Sequence, residues 1–217
     1  MTNLQTLRRI RDVGVIPVLR ARSQEDALCI ARAVLQGGIP ILEITMTVPG
    51  ALEVIRELAA MLGDQVLIGA GTVLDPQTAR ACILAGAKFI VSPGLKVSTI
   101  ELCRQHAVPV FPGALTPTEI ITAWEAGADA VKVFPCGAVG GAKYLKSLKA
   151  PLPQIELIPT GGVSLSTAAE LLSAGAFALG VGADLIDGDL CSPEKLKATT
   201  HNARKYMEVV AKHRVPA

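Results

Sequence analysis

Short apolar runs alternate with longer amphipathic stretches along almost the whole chain. The apolar runs of three to six residues predict strands at 15–20, 41–45, 67–71, 89–92, 110–112, 130–134, 157–160 and 178–182. Between them, apolar residues recur at helical spacing. Helix starts are marked by "SQED" (23–26), by Asp75 ahead of Pro76, and by Thr116 ahead of Pro117 with Glu119 closing a capping box. Residues 3–12, with Leu4, Leu7 and Ile10, predict a short extra helix, and 193–214 a long final one. One unit repeats: "LQGGIPILEI", "LAGAKFIVS", "EAGADAVKV" and "SAGAFALGV" each read as helix end, glycine stop and apolar strand. The stops are Gly37, Gly86, Gly127 and Gly175, each expected in the left-handed conformation that follows a helix.

Strands alternating with helices pair in parallel, and eight such units close most economically into a (β/α)8 TIM barrel. A doubly wound open sheet is the competing arrangement, but "GVGADL" (180–185) lacks the third glycine of a dinucleotide-binding turn. No linker or shift in composition interrupts the chain, so residues 1–217 are expected to form a single domain.

The two-residue period of a strand then sorts the side chains. In 130–134, Ala130, Lys132 and Phe134 share one face, while Val131 and Val133 share the other. In 41–45, Ile41, Glu43 and Thr45 share one face, while Leu42 and Ile44 share the other. Faces that meet helices should be apolar, so Lys132 and Glu43 are expected to point into the barrel, at the end where barrel active sites are built. Charges there mean either a structural ion pair or a nucleophilic lysine beside an acid/base carboxylate. Arg20, Thr72 and Thr160 stand at the ends of other strands. Arg20 offers a neighbouring charge and a partner for a substrate carboxylate. "PTGGVS" (159–164) and "GVGAD" (180–184) follow the last two strands, where glycine-rich turns of barrels cradle phosphate; Gly161, Gly162 and Gly182 are the candidates.

Composition narrows the classes. The 217 residues carry a net charge of +2 and a single tryptophan, which argues against a nucleic-acid surface. Five widely spaced cysteines without a C-x-x-C read as reduced, mostly buried thiols of a cytoplasmic protein. Three scattered histidines give no metal-ligand motif, and no metal or other cofactor is expected. The N-terminal apolar run, 13–19, is too short and too interrupted for a signal peptide. The stretch 157–183 carries one charge but is broken by Pro159, Gly161 and Gly162, so it suits a buried core and not a membrane span.

Several motifs together resemble the 2-keto-3-deoxy-6-phosphogluconate (KDPG) aldolases, a family that includes 4-hydroxy-2-oxoglutarate aldolases. They are "VLRA" (18–21), "LEIT" (42–45), "IGAGTV" (68–73), "VSPG" (91–94), "FPG" (111–113), "VKVFP" (131–135) and "PTGGV" (159–163), spread nearly end to end. The resemblance implies a metal-free class I aldolase on a barrel, acting on a small 2-keto acid and yielding pyruvate, assembled as a homotrimer. It assigns Lys132 as the Schiff-base lysine and Glu43 as the acid/base. It sets Thr72 and Thr160 near the pyruvyl carboxylate, Pro93 and Phe134 against the pyruvyl group, and Gly161 and Gly162 in the phosphate loop. Where some members carry an arginine after the second strand, this chain has Thr47, and Arg20 is expected to take that role. Where some carry a phosphate-binding serine after the eighth strand, this chain has Ala183, one hydroxyl donor fewer. KDPG is the expected substrate, with 4-hydroxy-2-oxoglutarate a further one. A 2-keto-3-deoxy-6-phosphogalactonate aldolase, or a phosphate-binding barrel enzyme such as a sugar-phosphate epimerase, is the alternative.

Overall fold

The structure is a computed structural model and is described for residues 2–186, 188 and 191–213. Its α/β architecture follows the predicted order. Helix α1 (Asn3–Val13) precedes β1 (Val15–Leu19), α2 (Gln24–Gln36), β2 (Ile41–Thr45), α3 (Ala51–Leu62) and β3 (Leu67–Gly71). Then come α4 (Pro76–Ala85), β4 (Ile90–Val91), α5 (Val97–Gln105), β5 (Val110–Phe111), β6 (Gly113–Ala114), α6 (Pro117–Glu125) and β7 (Val131–Val133). The chain continues through α7 (Gly141–Lys149), β8 (Leu157–Pro159), α8 (Leu165–Ser173), β9 (Leu179–Val181) and α9 (Pro193–His213). The expected end of the last helix at Arg214 lies outside the described residues.

All strand pairs are parallel. Six strands form one sheet in the order β5-β4-β3-β2-β1-β9, and three form a second in the order β6-β7-β8. The strand expected at 110–112 is thus divided into β5 and β6 by Pro112, which has no N–H for the ladder, although its carbonyl still accepts from Lys132 N–H at 2.9 Å. Isolated parallel bridges, Leu157 to Ala176 and Thr160 to Gly180, connect the second sheet to the β9 edge of the first. Several strands are shorter than the apolar runs that predict them: 130–134 narrows to Val131–Val133 and 178–182 to Leu179–Val181.

Local chemistry explains the helix ends. Asp75 accepts from Thr78 N–H ahead of Pro76, and Thr116 with Glu119 makes the expected capping box. Gly86, Gly127 and Gly175 take the left-handed conformation, but Gly37 does not: its φ is −78°, and Gly38, at +92°, turns the chain instead. Gly37 is needed for another reason. A Cβ there would stand 2.3 Å from Cβ of Ala203, so its hydrogen lets α2 end against α9.

The core is one contiguous cluster of mostly aliphatic side chains, running from Ile10 on α1 to Val210 on α9. Each fully buried Leu, Ile or Val in it contributes about 1.5–3 kcal/mol relative to exposure. Both faces of β1, β2 and β3 are buried, as expected of parallel strands covered by helices. Among the described residues, no helix is long and apolar enough to cross a membrane.

Candidate active site

Two charged side chains sit inside this apolar framework. Lys132 in β7 is 6% exposed and Glu43 in β2 is 2% exposed. Both point to the interior, as the apolar opposite faces of their strands predict, and they meet with Nζ 3.9 Å from Oε1. That distance is an ion-pair contact, longer than a hydrogen bond. Burial pushes the Glu43 carboxyl above its ordinary value, outweighing the opposite pull of Lys132 first and Arg20 second. The Lys132 ammonium also lies 5.3 Å from the centroid of the Phe134 ring.

The carboxylate fits because of a residue that the strand pattern alone does not single out. Gly71 lies on the same inward face of β3, and a Cβ there would stand 1.9 Å from Glu43 Oε1. The signal was the pair Gly69 and Gly71, at alternate positions of an otherwise aliphatic strand, which marks a close approach. Thr45, next inward on β2, donates its hydroxyl to the Leu19 carbonyl at 2.9 Å. Since that uses its only proton, the 2.7 Å contact with Thr47 Oγ1 is a hydrogen bond donated by Thr47. These hydroxyls tie the end of β2 to the end of β1, where Arg20 emerges.

Six of the sequence-predicted site residues line a single cavity of about 370 Å³: Arg20, Phe134, Thr160, Gly161, Gly162 and Gly182. Its remaining wall includes Ser164, Ala183 and Asp184. Arg20 therefore faces the two glycine-rich turns. Thr160 is buried, and its N–H donates to the Val133 carbonyl, so it sits one strand from Lys132. Thr72 follows Gly71 and is held at φ +57°, a left-handed conformation that is costly for a β-branched residue. Pro93 is placed apart from the six, lining a neighbouring hollow with Val73, Leu74, Gly94, Leu95 and Lys96.

Asp184 is a second residue missed in the sequence. Its Oδ2 accepts from Leu165 N–H, the first of α8, at 2.9 Å, and from the hydroxyl of the buried Tyr206 at 2.6 Å. Its carbonyl accepts from Asn202 of α9 at 3.1 Å. Hydrogen bonding to this carboxylate and burial together push the Tyr206 hydroxyl far above its ordinary value, burial being the larger cause. Asp184 thus fixes the turn after β9 to two helices at once.

Comparison with known proteins places the chain in a family. The family model described as KDPG and KHG aldolase matches residues 7–207. The chain belongs to that family. It is 39% identical to the 2-dehydro-3-deoxy-phosphogluconate aldolase of Treponema pallidum over 173 residues, 80% of each chain. It is 38% identical to the 2-dehydro-3-deoxy-6-phosphogalactonate aldolase of Escherichia coli K12, over 79% of this chain and 83% of that one. Among solved structures, it superposes on the KDPG aldolase of Legionella pneumophila with a TM-score of 0.79 at 31% identity, covering 96% of this chain and 97% of that one. That structure holds pyruvate captured as a covalent carbinolamine.

Proposed function

We propose that the chain is a metal-free class I aldolase that cleaves KDPG to pyruvate and glyceraldehyde 3-phosphate. The observation that carries this is a buried lysine held 3.9 Å from a buried carboxylate in a member of the KDPG and KHG aldolase family. Lys132 Nζ attacks the C2 ketone of the substrate, and loss of water from the carbinolamine gives a protonated imine. The imine draws in the electron pair of the C3–C4 bond, replacing the electron sink that a metal provides in other aldolases. Glu43 takes the C4 hydroxyl proton as the aldehyde leaves. The enamine is reprotonated at C3 and hydrolysed to pyruvate, which frees the lysine.

The remaining residues divide between the two substrate halves. Thr72, Thr160, Pro93 and Phe134 hold the pyruvyl half. Gly161, Gly162 and Gly182 offer backbone N–H groups to the phosphate. The location of Arg20 among these turns supports a role at the anionic aldehyde end, in place of the pyruvyl carboxylate suggested by sequence. There its guanidinium supplements the donors where Ala183 provides no hydroxyl.

Two structural readings accompany the function. The two sheets are parts of one closed eight-stranded barrel in a single domain, 1–217; the continuity of β5 and β6 through Pro112 and the bridges between 157–160 and 176–180 support this. The protein acts as a homotrimer in the cytoplasm, a reading supported by its membership of the aldolase family.

The 6-phosphogalactonate epimer shares the whole pyruvyl half, and a relative of comparable identity is named for it, so it is the second reading. Steady-state cleavage of KDPG, of its galactonate epimer and of 4-hydroxy-2-oxoglutarate, read as pyruvate released, decides among them. The highest kcat/KM is expected for KDPG, with turnover of all three lost in Lys132→Ala. Retained turnover in that variant contradicts the aldolase mechanism; a preference for the epimer transfers the assignment to the second reading.

A further inference from the structure

The five cysteines do not behave alike. Cys82, Cys103 and Cys136 are buried, and burial pushes their thiols up to about 12, 12 and 11. Cys29 on α2 and Cys191 just ahead of α9 are partly exposed instead. Three of the five are therefore buried, as the sequence suggests, and two are not. The two are brought together by Asp26, one helical turn before Cys29, whose Oδ1 accepts from the Cys191 backbone N–H at 2.8 Å. Their side chains are hydrogen-bonded to each other.

We infer that Cys29 and Cys191 form a reversible disulfide site, oxidised by a low-molecular-weight disulfide such as oxidised glutathione. The inference does not depend on the aldolase assignment. The hydrogen bond to Cys29 first, then burial and the nearby Asp26 and Glu25 charges, push the Cys191 thiol up to about 11, so Cys191 holds the proton. Cys29 gives up its proton to solvent and attacks the reagent, forming a mixed disulfide and releasing one small thiolate. Cys191 then gives up its proton, attacks the Cys29 sulfur and releases the second. Two protein thiols are oxidised and one reagent disulfide is reduced to two thiols, which take up the two protons.

The bond has a structural consequence. Ile186 and Gly188, a few residues before Cys191, line a hollow of about 200 Å³ with Val18, Arg20, Gly182 and Ala183. A Cys29–Cys191 bond anchors that stretch to α2, the helix that follows Arg20. The two side chains are already paired in the fold, so the bond needs a small approach of the sulfurs and closes a long loop of the unfolded chain.

The test treats the intact protein with oxidised glutathione, blocks free thiols, and maps disulfides by mass spectrometry without reduction. The expected product is a peptide pair joining Cys29 to Cys191, with Cys82, Cys103 and Cys136 unmodified until the protein is denatured. The thermal midpoint should rise by roughly 5–10 °C on oxidation, fall back on reduction, and stay unmoved in Cys29→Ser and Cys191→Ser. Full alkylation of both thiols after treatment, or linkage to another cysteine, overturns the inference. A midpoint that does not rise in the cross-linked wild type overturns the claim that the bond fits the native fold.

Discussion

A carboxyl group at the position of Glu43 is costly to ionise, and that cost is what suits it to proton transfer. Its raised affinity for a proton comes from burial, with Lys132, 3.9 Å away, and to a smaller extent Arg20 holding part of the shift back. Glu43→Gln keeps the shape and removes the titration. Its kcat should fall by about 10²–10⁴-fold, the usual contribution of a positioned acid/base; a near-normal rate makes Glu43 structural. The same residue leaves a mark on stability. The folded protein holds the Glu43 proton to higher pH than the unfolded chain does, so the contribution is fully present below the ordinary value of 4.5 and is lost as pH rises through the raised native value. Urea titrations across that interval should show a decline with rising pH that Glu43→Gln flattens. The inward direction of Lys132 and Glu43 was legible from strand alternation alone. The space that admits Glu43 was half-legible: Gly69 and Gly71 were visible, but not which side chain would occupy the room they leave.

At the scale of elements, the turn after β9 depends on helices that come before and after it. Asp184 joins the first N–H of α8, the hydroxyl of Tyr206 and, through its carbonyl, Asn202. Removing the carboxylate strands the buried Tyr206 hydroxyl and frees the turn that holds Gly182. For Asp184→Ala we expect KM for KDPG to rise on the order of tenfold, the equivalent of about 1.4 kcal/mol, while kcat stays within about twofold. A fall in kcat with KM unchanged contradicts a positioning role. Such links were not readable in the sequence, because they join residues from separate strand–helix units and follow no local period. The element order and most caps were readable, since each is decided within a few residues. The division at Pro112 was not drawn, although proline's missing N–H predicts an interrupted ladder. Gly37 shows the reverse: the glycine signal was correct, but close packing on Ala203 requires it, and the left-handed turn belongs to Gly38.

At the scale of the whole molecule, the α/β class and the gathering of the glycine-rich turns around one cavity were legible, because both follow from repeated strand–helix units. Assembly was not, since nothing in a single chain's periodicity marks a partner's surface. Light scattering should give three times the chain mass of 22.6 kDa; a monomeric wild type contradicts the threefold arrangement. The central claim, that Lys132 forms an imine with the substrate's ketone, is tested most directly by trapping. Incubation with pyruvate and borohydride should leave a reduced pyruvyl adduct on Lys132, found by peptide mass mapping, with loss of activity in proportion. An enzyme that stays active and unmodified, or an adduct on any other lysine, contradicts the account.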